Sequence, residues 1–198
     1  MPGRVRRCSN DRQGRVGVVR DAQSAGGLYY DPMSDADDLR FACDAMCGGL
    51  ARWLRAIGYD ATYSADIQDA ELLREAAEQA RVIISADGRL FERRVITSGQ
   101  IRALRLPRGL KLREQLDWVV RAMRLPVREP RCTACNGELS RARRDEVQHI
   151  VPARSLVWAS EFYRCRSCGK VFWNGTHWMR MEQVRDHLRR LHESEAPS

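Results

Sequence analysis

No run of eighteen apolar residues occurs in this 198-residue chain, so no membrane-spanning helix is expected. The first thirty residues mix Arg, Gly, Asp and Val without the apolar centre of a secretory signal. A soluble, cytoplasmic protein is the expectation. In a reducing cytosol the seven cysteines are not expected to form disulfides. No internal repeat or low-complexity array is present. Residues 1–38 hold few large apolar side chains and no helical or strand period, which predicts a disordered tail. An alternative is that translation starts at Met33, just before the first strand-like segment. Lysine is almost missing: 32 of the 34 basic residues are Arg.

The basic residues that are present set the partner. A net charge of +8 and a pI near 9.5 point to a polyanion, and Arg suits bidentate phosphate contacts. A GC-rich genome would also favour Arg over Lys, so the sign of the charge carries the argument. Its distribution says more. From Asp44 to Asp87 eight acids face four basic residues, whereas from Gly88 to Arg128 eleven basic residues face three acids. One half is built to hold cations and the other to hold phosphate.

Length allows one ordinary domain plus a small satellite. From Leu39 the pattern reads as alternating elements: a strand to Asp44, a helix carrying Leu50, Trp53, Leu54 and Ile57 that stops at Gly58, and a strand from Asp60 to Ala65. A helix with Leu72, Leu73 and Ala76 follows, then the apolar run Val82-Ile83-Ile84. A short helix from Arg89 to Val95, a strand from Ile101 to Leu106 and a helix from Leu112 to Met123 complete the domain. Alternation of this kind predicts a mostly parallel sheet covered by helices on both faces. Pro126 to Pro130 reads as a linker. The expected organisation is therefore a tail (1–38), an α/β domain (39–128) and a cysteine-bearing module with a C-terminal helix (129–198).

Cys132-Thr-Ala-Cys135 and Cys165-Arg-Ser-Cys168 carry the most specific signal. Two such pairs form two tight knuckles aimed at one ion, and four thiolates fill a tetrahedral Zn²⁺ shell with no position left for water. One structural zinc is expected, supplying much of this small module's folding energy.

Asp44, Asp69 and Asp87 fall where the first strand ends, the second helix begins and a later strand ends. In an open parallel sheet such positions converge outside the carboxyl edge. Carboxylates are the ligands Mg²⁺ and Mn²⁺ prefer, and three acids around a phosphodiester suggest metal-assisted hydrolysis. Asp66 and Glu71 are both candidates for a fourth acid. Plainer readings stand beside these: Asp69 as a helix N-cap and Asp87 as a turn residue before Gly88. Cys43 and Cys47 read as small buried hydrophobes.

Taken together, Phe41-Ala-Cys-Asp44, Gly49 to Asp60, Asp69-Ala-Glu-Leu-Leu73, Ile84-Ser-Ala-Asp87, Gln115-Leu116, both C-x-x-C pairs and Gly175-Thr-His-Trp178 resemble the Mut-seven carboxy-terminal RNase domain family. The resemblance covers residues 39 to about 181. It implies a PIN-like fold with an attached zinc ribbon, and Mg²⁺ or Mn²⁺ bound by Asp44, Asp69 and Asp87. The implied reaction is cleavage of single-stranded RNA to leave 5′-phosphate and 3′-hydroxyl ends. Ser85-Ala86-Asp87-Gly88 departs from the Thr-Arg-Asp-Arg usual there, so an Arg on each side of the last acid is missing. Arg89, Arg93 and Arg94 are the candidates to replace them.

Arg52 and Arg55 follow Gly48-Gly49 at a helix N-terminus, a place for a phosphate. The alternative is a solvated helix face. On the cysteine module, Lys170, His177 and Trp178, with the aromatic residues Phe162, Tyr163, Phe172 and Trp173, could clamp and stack unpaired bases. Packing is the competing role for His177. RNA, with tRNA and rRNA among its candidate forms, is the expected partner. A non-catalytic RNA- or ribosome-binding protein with the same fold is the runner-up, and a protein-docking ribbon the third reading.

Overall fold

A computed structural model describes residues 39–194. The expected tail, residues 1–38, lies outside the described residues. The first half alternates as β1 (Arg40–Cys43), α1 (Gly48–Ala56), β2 (Asp60–Tyr63), α2 (Asp69–Glu78), β3 (Val82–Ser85), α3 (Arg94–Thr97), β4 (Ala103–Arg105) and α4 (Leu112–Ala122). The four strands form one parallel sheet in the order β2-β1-β3-β4. The fold is thus the expected α/β arrangement, a parallel sheet flanked by helices.

Alternation along the strands assigns the two faces. Phe41, Cys43, Val82, Ile84 and Leu104 pack with α1 and α4, while Ala42, Ile83 and Ala103 pack with α2, α3 and the 3-10 turn Leu90–Glu92. Every residue of β3 is buried, because helices cover both sides of the sheet. That is the physical basis of the unbroken Val82-Ile83-Ile84 run. In α1 the inward stripe is Leu50, Ala51, Leu54 and, just past its end, Ile57, all wholly buried.

Gly58 ends α1 with φ +100°, and a Cβ there would stand 2.5 Å from the Cβ of Arg128. Glycine is needed for the backbone angle and for the passing chain. That passing chain is the Pro126–Pro130 segment. Arg128 N–H donates to Ile57 O at 2.9 Å, a carbonyl at the helix end, and Arg131, just past the segment, adds a second donor to Arg55 O at 2.8 Å beside the Gly58 N–H.

The cysteine-bearing module holds β5 (Leu139–Ala142), α5 (Arg144–Val147), α6 (Ala153–Leu156), β6 (Phe162–Cys165) and β7 (Val171–Trp173). Its antiparallel sheet runs β5-β6-β7 over a small core of Val147, Val151, Ala159, Phe162 and Val171. The closing helix α7 (Thr176–Ser194) returns to the first domain. Leu188 is wholly buried in the α1/α4 core, with Val184 and Leu191 packed beside it, and Arg185 donates to Ala56 O at 2.8 Å. His187 lies 3.3 Å from the Asp117 carboxylate of α4.

Candidate active site and metal-binding cluster

The sheet order places a topological switch between β1 and β3. The chain leaves β1 toward α1 on one face and leaves β3 toward the Leu90–Glu92 turn on the other. A crevice opens outside the carboxyl ends of two such strands. Asp44 follows β1 directly and Asp87 lies two residues past β3. Both acids therefore border that crevice.

Ser85 links them. Wholly buried at the end of β3, its hydroxyl donates to Asp44 Oδ2 and accepts from the Asp87 N–H at 2.9 Å. Asp44 Oδ1 accepts from the Ala45 N–H at 2.6 Å, capping the 3-10 turn Ala45–Cys47. Asp87 Oδ1 accepts from the Arg89 N–H at 3.0 Å. The turn role expected of Asp87 is thus present alongside its edge position. Asp69 is the first residue of α2, whose cap position is taken by Gln68, and no side-chain cap bond forms there. The N-cap reading of Asp69 is therefore replaced by an ion pair with Arg93 at 3.6 Å.

Asp69 and Asp87 line a common open cavity of about 530 Å³ with Arg89, Glu92 and Arg93. Neither Asp66 nor Glu71, the fourth-acid candidates, lines it. Asp66 is exposed, and Glu71 sits 3.9 Å from Arg74 on the solvent side of α2. The acid that the sequence reading missed is Glu92. It was hidden by its setting among Arg89, Arg93 and Arg94, in a segment expected to be one continuous helix. Arg94 does not line this cavity. Among the described residues the acids do not form a group of three with oxygens within 4.8 Å of one another. Asp44 does not line the cavity that Asp69 and Asp87 share. Burial pushes the Cys43 thiol strongly up and the Cys47 thiol up to about 12, so both stay neutral, as small buried hydrophobes.

The four cysteines behave differently. Cys132, Cys135, Cys165 and Cys168 have their sulfurs within 4.8 Å of one another, with Cys132 to Cys168 at 3.7 Å and Cys135 to Cys165 at 3.4 Å. A tetrahedral Zn²⁺ with bonds of about 2.3 Å sets its sulfurs about 3.8 Å apart, so the cluster fits one zinc. All four are free thiols. Burial alone would raise the Cys165 thiol, but amide hydrogen bonds from Cys168 and Ser167 lower it to about 6. A Cβ at Gly137 would lie 2.9 Å from Cys165 Sγ and collide with the Ser167 hydroxyl, so only glycine lets the two knuckles close. The donor set is that of a structural zinc site.

A model of the Mut7-C RNAse domain matches residues 39–185. This chain belongs to that family. A human relative, described as an exonuclease mut-7 homolog, is 25% identical over 243 aligned residues covering 84% of this chain. The chain spans only 27% of that relative's length. No solved structure matches.

Within this Mut7-C domain the cysteine module is riveted to the sheet. Arg55, expected to touch phosphate, is 6% exposed. Its guanidinium donates to the carbonyls of Ala61 at 2.8 Å, Thr133 at 3.3 Å and Ala134 at 3.2 Å. It clamps the first cysteine knuckle and has no open face for RNA. Asn136, in the left-handed region at φ 71°, donates to Asp60 at 2.6 Å and accepts from the Ala61 N–H. Gly48 and Gly49 also serve packing: Cβ atoms there would meet the Tyr63 ring at 2.5 Å and the Leu112 methyls at 3.1 Å. The open approach expected for a phosphate is filled by side chains.

The other expected RNA contacts do converge. Arg52, Lys170 and His177 line one cleft of about 620 Å³ with Gly49, Leu112 and Met181. Lys170 and His177 also line an adjoining cavity of about 360 Å³ with Trp158, Trp173 and Trp178. Gly49 and Leu112 sit at the starts of α1 and α4, which begin at the carboxyl edge of the sheet. Trp178 is stacked on Tyr163, centroids 5.3 Å apart and planes 3° from parallel. Among the described residues no helix is long and apolar enough to cross a membrane.

Proposed function

We propose that this chain is a ribonuclease that hydrolyses phosphodiester bonds of single-stranded RNA in the cytoplasm, using Mg²⁺ or Mn²⁺ held by Asp44, Asp69 and Asp87. The observation that carries the reading is the pairing of Asp44 and Asp87 through Ser85 at the topological switch, where α/β sheets bind ligands. Asp69 faces the same cavity as Asp87, and the description of the human relative as an exonuclease supports cleavage of this bond class. A divalent ion there supplies an activated water and neutralises charge on the phosphate. The protein's own part is positioning. Ser85 fixes the Asp44 carboxylate and the backbone of Asp87, and Arg89 lines the cavity of Asp87 as a cation for a phosphate oxygen. The cysteine module, held by one structural zinc, presents Lys170 and His177, beside Arg52 of α1, to the RNA backbone and Trp158 and Trp173 to its bases.

A second reading, a non-catalytic RNA-binding protein, draws on one feature. The Asp69 carboxylate is paired with Arg93, which competes with a metal. Incubation of a single-stranded oligoribonucleotide with and without Mn²⁺ separates the two. Cleavage that requires the ion and leaves 5′-phosphate ends is expected. Tight binding with no cleavage under either condition replaces the nuclease with the second reading.

A further inference from the structure

The crevice at Asp87 carries two cations that the acids do not account for. Arg105, the last residue of β4, is the register partner of Ser85 across the β3–β4 pair. Its guanidinium reaches over the turn after Asp87: a Cβ built on Gly88 would stand 3.0 Å from Arg105 Nη2 and 3.9 Å from Arg108 Nη2. Gly88 therefore holds open the space into which both guanidinium groups project. The Arg105 guanidinium also lies over the Phe91 ring, 6.0 Å from its centroid, a cation–π contact that restrains its direction. Neither arginine has a carboxylate within ion-pair distance among the described residues, although Arg74, Arg81, Arg93 and Arg113 all do. Two unpaired guanidinium groups at the mouth of an acidic crevice are matched to an anion that must sit beside carboxylates.

We infer that Arg105 and Arg108 form a phosphate clamp that holds an RNA phosphodiester against the Asp87 edge, in the space left by Gly88. The clamp offers two planar forks to non-bridging oxygens, the bidentate geometry in which arginine exceeds lysine. It offsets the repulsion between a phosphodiester and the nearby carboxylates. This inference rests on the nuclease reading for its substrate, and its test does not require cleavage.

The test is binding of a fluorescent single-stranded oligoribonucleotide, without added divalent ions, to wild type, Arg105→Gln, Arg108→Gln and the double variant across a salt series. Single-strand affinity falls with salt at about −0.7 per phosphate neutralised, so the double variant, which frees the one clamped phosphate, should lose about 0.7 from the slope of log K against log salt. Gly88→Arg introduced into Arg105→Gln should restore part of that slope. If Arg105→Gln alters thermal unfolding, exposed Arg108→Gln decides alone. An unchanged slope and affinity in folded variants overturns the clamp, whether or not the wild type cleaves RNA. An arginine-dependent slope in a protein that does not cleave retains the clamp and removes the nuclease reading instead.

Discussion

Replacing Ser85 with Ala removes one oxygen from a wholly buried position and breaks the link between two acids. The lost donor leaves Asp44 Oδ2 without its buried partner, and the lost acceptor leaves the Asp87 N–H unpaired. A hydrogen bond to a charged group contributes about 1.5–3 kcal/mol, while the Asp87 N–H sits in an exposed turn where water replaces much of its bond. The sum is about 2–4 kcal/mol, which at roughly 2–4 °C per kcal/mol lowers Tm by about 4–16 °C. Activity should fall further than stability explains, because a misplacement of about 1 Å in a catalytic group costs on the order of 10²-fold. Ser85→Thr keeps the hydroxyl but must fit a methyl into a closed site, at about 1–3 kcal/mol. It should therefore lose stability and keep cleavage. Thermal unfolding and RNA cleavage of both variants, with Asp44→Asn to complete a double-mutant cycle, measure the coupling. If Ser85→Ala melts and cleaves like wild type, the link has no role and the reasoning fails.

Three further outcomes are expected. Leu188→Ala should destabilise the protein by about 2–5 kcal/mol in urea unfolding, because α7 is part of the α1/α4 core; a negligible change would mean that the helix is peripheral. Purified protein should contain about one zinc per chain, and Cys132→Ser or chelation should unfold the cysteine module, read by metal analysis and proteolysis. Burial alone would raise the Asp60 carboxyl, yet hydrogen bonds from Arg81 and Asn136 hold it below the ordinary carboxylate value. Its stabilising contribution is thus complete above the unfolded pKa of about 4 and lost as pH falls through the lower folded value. Asp60→Asn should flatten that acid limb in a pH series of melting temperatures.

The β-α alternation was legible because its signals are local. Val82-Ile83-Ile84 and the Leu50–Leu54–Ile57 stripe record burial within single elements, and C-x-x-C spacing records a closed coordination shell. What escaped was set by tertiary contact. Arg55 sits on a helix like any solvated arginine until the knuckle carbonyls of Thr133 and Ala134, almost eighty positions away, surround it. Helix α7 looked polar because only Val184, Leu188 and Leu191 face the core. Short β5 escaped because Leu139–Ala142 carries no fully buried residue. At the crevice, Asp44 and Asp87 were visible from their strand ends, whereas the Ser85 link, Glu92 and the Arg105–Arg108 pair depend on elements brought together by the sheet.

The central claim is that the acids at the β1 and β3 ends bind the ion used to cut RNA. The direct measurement is the Mn²⁺-dependent cleavage rate of a single-stranded oligoribonucleotide by wild type, Asp44→Asn and Asp87→Asn, each checked for native unfolding. Both variants should lose on the order of 10²-fold or more in rate, as expected when charge stabilisation at a phosphate is removed. Equal cleavage by all three proteins would contradict the assignment of the site.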